Sequence, residues 1–379
     1  MLKNECLHFF HNRSIHLFLC LNLVHFLFMF MRKIQLFASI LAMVLGFSLH
    51  AQTVRIMAIT ENDTYVYIDD SGNEVFEPSY FDCYDYSPEG VALVARSDGR
   101  DYRIINISGE EIETDCSVYP IINDWSYLPY GFSNGMLRVT KKGQRGAINY
   151  IGKLTVPHKY EELTEFNSNH AIGSIGKQYF IVSKSGGEIP VNYEKIKDIN
   201  HYSEGLAPIR IGKYYGYIDT LGQIVVKPNF KSVGFFHGGY AWAKSTDNLV
   251  GYINKTGEWV IEPTYFTGKY YDPVSGLARV KGAKGWGYVD MEGNFNNFNI
   301  RSSFYSFAEG LAVYRIDDKI GYINHKGEVV IEPVYHVAHA FKNGYARVEF
   351  EKKWGIIDKE GNWVIKPIYK KLSDVIIVN

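Results

Sequence analysis

The fold is decided by a stretch that runs Gly251-Tyr-Ile-Asn254 and continues through Gly257 to Val260-Ile-Glu-Pro263. The glycine that opens it recurs at Gly146, Gly216, Gly251, Gly287, Gly321 and Gly355. After a first gap of 70 residues, in which Phe180 takes the place of the glycine, the spacing is 35, 36, 34 and 34 residues. A fixed spacing of this length is typical of a repeat protein, in which one small unit is copied along the chain.

Each unit contains three predicted strands. The first has a Gly-Leu-Ala-x-Val pattern, as in Gly276–Val280, the second is the Gly-Tyr-Ile-Asp strand, and the third ends at a proline such as Pro263. The chain has 29 Tyr, 23 Phe and 35 Gly, residues that favour pleated strands and tight turns. Since no long stretch of the repeats has apolar residues at helical spacing, we expect an all-β chain of antiparallel units.

A second glycine closes a turn in every unit, and the residue three positions before it is Asp, Asn or Ser. The pairs are Asp69/Gly72, Asn106/Gly109, Asn149/Gly152, Ser183/Gly186, Asp219/Gly222, Asn254/Gly257, Asp290/Gly293, Asn324/Gly327 and Asp358/Gly361. These polar side chains accept backbone hydrogen bonds in turns, and glycine adopts the left-handed conformation that closes them. The sequence thus predicts nine units of about 35 residues over residues 52–379, of which units two to four diverge most.

Strand alternation assigns the two faces of each unit. Ala278 and Val280 share the predicted core face, while Arg279 lies on the other face, as do Arg138 and Arg347 in their units, so we expect that face to reach solvent. A three-stranded meander cannot bury both faces alone, so the units must stack. A propeller-like ring and an open, curved β-array both satisfy this demand.

Two segments carry a family resemblance, Lys284-Gly-Trp-Gly-Tyr-Val-Asp290 and Lys352-Lys-Trp-Gly-Ile-Ile-Asp358. In most of the strong units such a segment is followed by Gly-(Asn/Glu)-(Trp/Val)-Val-Ile-(Lys/Glu)-Pro, and the chain resembles the WG (KWG) repeat family from about Thr53 to its end. The tryptophan is replaced by Tyr215, Val250 and Ile320 in three strong units. The resemblance implies a non-catalytic interaction module from a mostly bacterial, often exported group of proteins.

The N-terminal residues predict export. Met31-Arg-Lys33 precedes an apolar run from Leu36 to Leu49, and Ala51-Gln52 is a plausible cleavage point, so residues 31–51 read as a signal peptide. Residues 1–30 are interpreted as an extension from a mis-assigned start; the alternative is a transmembrane hairpin, although each run is shorter than the ~20 residues of a span. We expect a periplasmic, cell-surface or secreted protein, in which a disulfide between Cys83 and Cys116 is permitted but not required.

Three motifs that hint at chemistry are better explained by structure. Ser133 lies in a G-x-S-x-G match, but the repeats place Ala308 and Lys342 at equivalent connector positions. His336 and His339 are spaced for a metal, yet on a strand they face opposite ways, and no Cys or carboxylate cluster accompanies them. Asp69-Asp-Ser-Gly-Asn73 lacks the spaced acids of a calcium loop. The sequence therefore predicts no catalytic, metal or cofactor residue.

A stripe of tyrosines follows the glycine position at Tyr67, Tyr217, Tyr252, Tyr288 and Tyr322. We expect these rings to pack between units with their hydroxyls on water or backbone; the alternative is a platform for stacking sugars or peptides. Unit seven replaces its proline strand with Asn294–Asn299, and unit two inserts Asp115–Tyr130. Because repeat proteins place such variation on the binding face, function is expected at these breaks.

The net charge is −1, which gives no electrostatic reason to expect nucleic acid or an anionic membrane as partner. The favoured hypothesis is an exported, non-enzymatic binding or scaffold protein for a protein or glycan, with the ligand-binding residues unassigned. The alternatives are a glycan-active enzyme with paired carboxylates outside the turns and a purely structural surface component.

Overall fold

The computed structural model describes residues 53–76, 80–96, 101–120, 131–298 and 304–378. Contacts divide the chain into Met1–Gln52 and Thr53–Asn379. The predicted extension (1–30) and signal peptide (31–51) lie outside the described residues, as does most of the unit-two insertion. In the described ranges, no helix is long and apolar enough to cross a membrane.

Nine four-stranded antiparallel sheets, here called blades one to nine, follow one another along the chain. Blade one contains β1 (Thr53–Ile59) and β2 (Tyr65–Ile68), and blade two contains β3 (Asp82–Cys83), β4 (Ala92–Ala95), β5 (Tyr102–Ile105) and β6 (Glu111–Ile112). Blade three contains β7 (Phe132–Ser133), β8 (Met136–Lys141), β9 (Gln144–Asn149) and β10 (Leu154–Tyr160), and blade four contains β11 (Glu162–Leu163), β12 (His170–Ile175), β13 (Gln178–Ser183) and β14 (Glu188–Val191).

The later blades repeat this order more regularly. Blade five contains β15 (Ile196–Ile199), β16 (Ala207–Ile211), β17 (Tyr214–Ile218) and β18 (Ile224–Phe230), and blade six contains β19 (Ser232–Val233), β20 (Ala241–Lys244), β21 (Val250–Ile253) and β22 (Trp259–Tyr265). Blade seven contains β23 (Thr267–Asp272), β24 (Leu277–Gly282), β25 (Gly285–Val289) and β26 (Phe295–Asn296), and blade eight contains β27 (Phe304–Ala308), β28 (Leu311–Ile316), β29 (Lys319–Ile323) and β30 (Val329–Tyr335). Blade nine contains β31 (Val337–Ala338), β32 (Ala346–Phe350), β33 (Lys353–Ile357) and β34 (Trp363–Tyr369), and the chain returns to blade one with β35 (Lys371–Leu372) and β36 (Ile376–Val378).

The two ends of the repeat region meet in blade one. β1 pairs with β2 on one side and with β35 and β36 on the other, and Ala58 lies opposite Leu372. Side chains from both ends, including Ile56 and Val375, share one buried cluster. The ring is therefore closed, and the fold is a nine-bladed β-propeller rather than an open array.

Each blade has one strand more than the three predicted from the sequence. In blades two to nine the extra strand comes first in the blade and pairs with the strand that follows it, as Val233 does with Ala243. In blade one the corresponding pairing with β1 is made by β35 and β36, which follow blade nine. In several blades, such as four (β11) and six (β19), the extra strand is two residues long. A strand this short cannot show alternation of apolar and polar residues, so it was interpreted as part of the connector.

The tyrosine stripe packs between blades, as predicted. All five rings are buried, and each hydroxyl donates to the backbone carbonyl 17 residues later, in the next blade. Tyr217 of blade five, for example, donates to the Gly234 carbonyl at 2.6 Å and packs with Ala241 and Ala243 of blade six. Because these rings are buried, they offer no platform to a ligand.

The hydrogen bond from a buried tyrosine hydroxyl to the next blade is expected to contribute to stability. Tyr217→Phe is expected to lower the free energy of unfolding by about 1–3 kcal/mol, because the buried Gly234 carbonyl loses its donor. Tyr314→Phe is the matched control: Tyr314 is equally buried, and its hydroxyl has no hydrogen-bond partner in the described part of the chain. Denaturant unfolding of both variants would contradict this account if they were destabilised equally.

The glycine that opens the repeat is required by a bulge in the fourth strand. At Gly251, an added Cβ would lie 2.2 Å from the Ile261 carbonyl oxygen and 2.9 Å from the Pro263 nitrogen. The register shifts at this point, so the proline lies inside β22 at a bulge and not at the strand end that the sequence predicted. Phe180, which replaces the glycine in blade four, faces a fourth strand paired without any shift.

The nine predicted turns are present. Asp219 is typical: its carboxylate accepts from the backbone N–H groups of Leu221 and Gln223, and Gly222 has φ of 80°. All nine turn glycines have positive φ, so these positions are fixed by turn chemistry.

The face assignment was half right. Ala278 and Val280 are fully buried, as predicted. The arginine face does not simply reach solvent, since only 13% of the Arg138 side chain is exposed and Arg279 lies 4.1 Å from the Trp286 ring centroid. Both faces of a blade are covered because each blade is packed between two neighbours.

Candidate functional site

The connector between the first and second strands carries a position whose residue changes from blade to blade. This position directly precedes a buried aromatic residue in blades four to six, and it is Glu165 in blade four, His201 in blade five and Phe235 in blade six. Together with Tyr270 of blade seven, these residues line one open cavity of about 790 Å³. Since four successive blades contribute to one cavity, their first-strand edges converge on the inner side of the ring. We call this space the inner cavity.

A buried ion pair forms one wall of the inner cavity. The Arg138 Nη2 atom lies 2.6 Å from Glu165 Oε1, and Arg138 Nη1 donates to the Leu163 carbonyl at 2.9 Å. The side chain of Glu165 is only 9% exposed. The arginine comes from blade three and the glutamate from blade four, so the pair also joins two blades. The same arrangement recurs where the ring closes, between Arg347 and Asp374.

Aromatic and imidazole rings form the other wall. The His201 and Phe235 rings are stacked, with centroids 4.1 Å apart and planes 18° apart, and the His237 ring lies 4.7 Å from that of Tyr270. Burial lowers the pKa of His201, and Arg138 acts in the same direction, although Glu165 opposes them. Burial also lowers the pKa of His237 against the opposing effect of Glu204. Both imidazoles are therefore neutral at pH 7.

These lowered pKa values predict a dependence of stability on pH. A histidine with a lower pKa in the folded state binds protons better when unfolded, so its contribution is present above about pH 6.5 and is lost as the pH falls. We expect the midpoint of denaturant unfolding to decrease as the pH is lowered from 7.5 to 5.5. In His201→Asn this decrease should be smaller. His325→Asn, at an exposed turn, serves as control and should keep the wild-type slope. Equal slopes for wild type and His201→Asn would contradict the assignment.

Glu204 closes the cavity toward the next blade. Its carboxylate accepts from the backbone N–H groups of Gly238 and Gly239, at 2.6 and 3.0 Å, and lies 3.1 Å from Lys255 Nζ. Partial burial acts to raise its pKa, but these hydrogen bonds and Lys255 hold it below the usual value. Glu309 makes the same contacts three blades later, with Asn343, Gly344 and Lys359. A contact repeated in this way joins blades and is not chemistry unique to the cavity.

The repeats match a known family model. The model described as WG containing repeat matches residues 67–97, 146–179, 215–248, 251–281, 320–354 and 354–375. The chain belongs to the WG-repeat family. A search of curated proteins gave no match.

Several solved structures match this chain in a structural comparison. A eukaryotic initiation factor superposes with a TM-score of 0.54 and 12% identity, over 86% of this chain and 98% of that one. BamB from Moraxella catarrhalis has a TM-score of 0.37 at 11% identity, over 80% and 91% of the two chains. Hsv2p from Kluyveromyces lactis has a TM-score of 0.35 at 9% identity, over 77% and 97%. At these identities the similarity to the initiation factor shows the fold alone.

Ser133 occupies a repeat position in the WG-repeat propeller. It ends β7 in a tight hairpin, and its hydroxyl donates to the Phe166 carbonyl of the next blade at 3.1 Å. Ser203 makes the equivalent bond to Phe236 at 2.7 Å. Its surroundings are those of a connector, as the sequence predicted, and not those of a strand-to-helix elbow.

The two histidines of the predicted pair make different contacts, and the two cysteines are not bonded to each other. His336 contacts Lys319, whereas the His339 ring packs against Trp354. Within the described ranges, no group of three or more His, Cys, Asp or Glu is placed to hold a metal ion. Cys83 is buried and Cys116 half-buried, both as free thiols, and burial raises the pKa of Cys83 to about 12.

The inner cavity is not where the sequence placed the function of this WG-repeat protein. Asn294–Asn299 and Asp115–Tyr130 do not line the cavity as described, and residues 121–130 and 299 lie outside the described ranges. The sequence contains one weak indication of this cavity, since a single connector position is occupied by Glu165, His201 and Phe235 in successive units. It was missed because it belongs to the short first strand and its connector, which the three-strand unit did not include.

Proposed function

We propose that this WG-repeat propeller is an exported, non-enzymatic binding module that takes a protein or glycan partner at the inner cavity. The observation that carries the proposal is the change of residue at one register, from Glu165 through His201 and Phe235 to Tyr270, around a single open cavity. Repeated positions serve the fold, whereas a position that differs from blade to blade can serve a ligand. A concave site with aromatic walls and a few polar groups is typical of binding sites.

The carboxylates of the inner cavity favour binding over catalysis. Glu165 is paired with Arg138, Glu162 with Arg145 at 2.7 Å, and Glu204 with two backbone N–H groups and Lys255. A general acid in glycoside hydrolysis needs a carboxyl with a raised pKa. The pKa of Glu204 is instead lowered.

One observation outside the inner cavity favours the alternative of a glycan-active enzyme. Burial raises the pKa of Asp85, and the neighbouring Asp374 acts in the same direction. Asp374 itself is held by Arg347 at 2.9 Å and Lys342 at 3.4 Å. Product analysis after incubation with oligosaccharides tests this second candidate: hydrolysis that Asp85→Asn abolishes would establish the enzyme and overturn the non-enzymatic proposal.

The proposal of export rests on residues 31–51 alone. A reporter fused after Gln52 is expected to leave the cytoplasm, and replacing Arg32 and Lys33 by Glu should hinder it, since a signal peptide needs its positive start. A third role, as a structural spacer, fits less well, because a closed ring adds little reach.

Blocking the inner cavity tests the binding proposal. Asn200 is exposed at the cavity wall, and Asn200→Trp fills part of that space. Glycans and peptides that raise the unfolding temperature of the wild type should not raise that of Asn200→Trp, because a ligand stabilises only a protein that binds it. Ser71→Trp, on an exposed turn of blade one, is the control and should respond like the wild type. Equal stabilisation of both variants would place binding elsewhere.

A further inference from the structure

The charges that line the inner cavity are paired with one another. Arg138 pairs with Glu165 and Arg145 with Glu162, both within the cavity wall, and Glu204 pairs with Lys255. The other titratable side chains described in the cavity wall are His201, whose ring stacks on Phe235, His237, whose ring is tilted against Tyr270, and the tyrosines Tyr202 and Tyr270. A strongly charged ligand could form an ion pair with one of these side chains only by displacing the partner that the side chain already has. The cavity is therefore suited to a neutral ligand.

The aromatic wall presents one exposed ring. Tyr270 is 51% exposed, whereas the five tyrosines of the stripe are buried between blades. The His237 ring lies against it, with centroids 4.7 Å apart and planes tilted by 55°, which restricts its orientation before a ligand arrives. A preorganised aromatic face with a polar edge stacks well on the apolar C–H face of a sugar ring.

Neutral hydrogen-bonding groups stand beside these rings. The Asn200 side-chain amide has no hydrogen-bond partner among the described residues, and its backbone N–H is already used by the Pro208 carbonyl. Asn167 lines the cavity and accepts a hydrogen bond from Asn134 on its side-chain oxygen, so its side-chain N–H donors have no partner among the described residues. Amides donate and accept together, as a ligand rich in hydroxyls requires.

The residues that line the inner cavity are less suited to a peptide than to a glycan. An extended peptide binds by adding a strand to a free edge or by placing charged groups against opposite charges. Of the first strands that border the cavity, β11 and β19 are two residues long and β15 is four. The six-residue β23 is interrupted by a register shift between Gly268 and Tyr271, so no long regular edge is available for such a ladder. The charged side chains Arg138, Arg145 and Glu204 already have ion-pair partners.

We propose that the inner cavity binds a neutral oligosaccharide, with one sugar ring stacked on Tyr270 and hydroxyls bound by Asn200 and Asn167. This inference rests on the proposed function, and it narrows the partner from protein or glycan to an uncharged glycan.

Calorimetric titration of the intact protein tests the proposal. The probes are neutral hexasaccharides of glucose, xylose and N-acetylglucosamine, a hexamer of galacturonic acid, and neutral, acidic and basic decapeptides. At least one neutral hexasaccharide should bind, and Tyr270→Ala and Asn200→Ala should weaken it at least tenfold. Tyr305→Ala removes another exposed tyrosine on a first strand, outside the cavity, and should leave the Kd unchanged.

The outcomes separate the two proposals. Binding of a peptide or of the galacturonic acid hexamer alone, lost in Tyr270→Ala, would overturn the neutral glycan and leave the binding site standing. Hexasaccharide binding that Tyr270→Ala does not alter would overturn the inferred contacts. Absence of binding by every probe would count against both proposals.

Discussion

Glu165→Ala is expected to lower the free energy of unfolding by about 3–5 kcal/mol, the largest effect predicted for this protein. The substitution takes the Glu165 carboxylate away from the Arg138 guanidinium, which is only 13% exposed between blades three and four. Removing one member of a buried pair costs more than the pair contributes, because the remaining charge stays desolvated. Denaturant unfolding followed by tryptophan fluorescence measures the change.

Two further variants serve as controls for Glu165→Ala. Glu162→Ala removes the partner of Arg145, but the Glu162 side chain is 66% exposed, so a loss of about 1 kcal/mol or less is expected. The double variant Arg138→Met/Glu165→Leu should recover much of the stability lost in Glu165→Ala, since it removes both charges and keeps the volume. If Glu162→Ala and Glu165→Ala were equally mild, the buried pair would not join the blades as described.

Gly251→Ala is expected to destabilise the propeller by about 3 kcal/mol, at the upper end of the usual cost of overpacking. The new Cβ would lie 2.2 Å from the Ile261 carbonyl oxygen, and a backbone atom in a bulged strand cannot move aside as a flexible side chain can. The expected result is a lower midpoint of urea unfolding, with amide exchange increased first in blade six.

The control for this prediction lies on the same fourth strand. Val260 in β22 is partly exposed, and Val260→Ala is expected to change stability by less than about 1 kcal/mol. Phe180→Ala places a small residue at the equivalent position of blade four. Because the fourth strand of that blade has no bulge, this substitution is not expected to stabilise the protein. A Gly251→Ala variant as stable as the wild type would refute the close approach of the bulge.

Local rules in the sequence predicted much of the fold. The turn at Asp219 and Gly222 needs only the chemistry of neighbouring residues, and the same rule holds in each unit. The burial of Tyr217 follows from alternation in its strand and from the need of a small unit to cover its faces. The resemblance to the WG-repeat family then extended the prediction over nearly the whole repeat region.

Features that depend on contacts between strands, within a blade or between blades, were not predictable in this way. The role of Gly251 depends on a bulge ten residues later that folds back onto it, and the proline alone was compatible with a strand end. Arg138 was assigned to a solvent face because the glutamate that pairs with it lies 27 positions later, in another blade. Ring closure likewise depends on β1 meeting β35 across the whole chain.

The inner cavity, as a candidate site, was not predictable for the same reason. Glu165, His201 and Phe235 lie about 35 residues apart and become neighbours only when the first strands converge. Searching for breaks in the repeat drew attention to insertions instead, since a substitution at a single connector position does not disturb the spacing.

Hydrogen exchange of the intact protein, with and without a saturating neutral hexasaccharide, tests the central claim most directly. Binding at the inner cavity predicts slower exchange in the connectors at 162–168, 200–204 and 234–239 and around Tyr270, with no change in the turns at Asp69 and Asp358. Protection confined to the turns or fourth strands, with these connectors unchanged, would contradict the account.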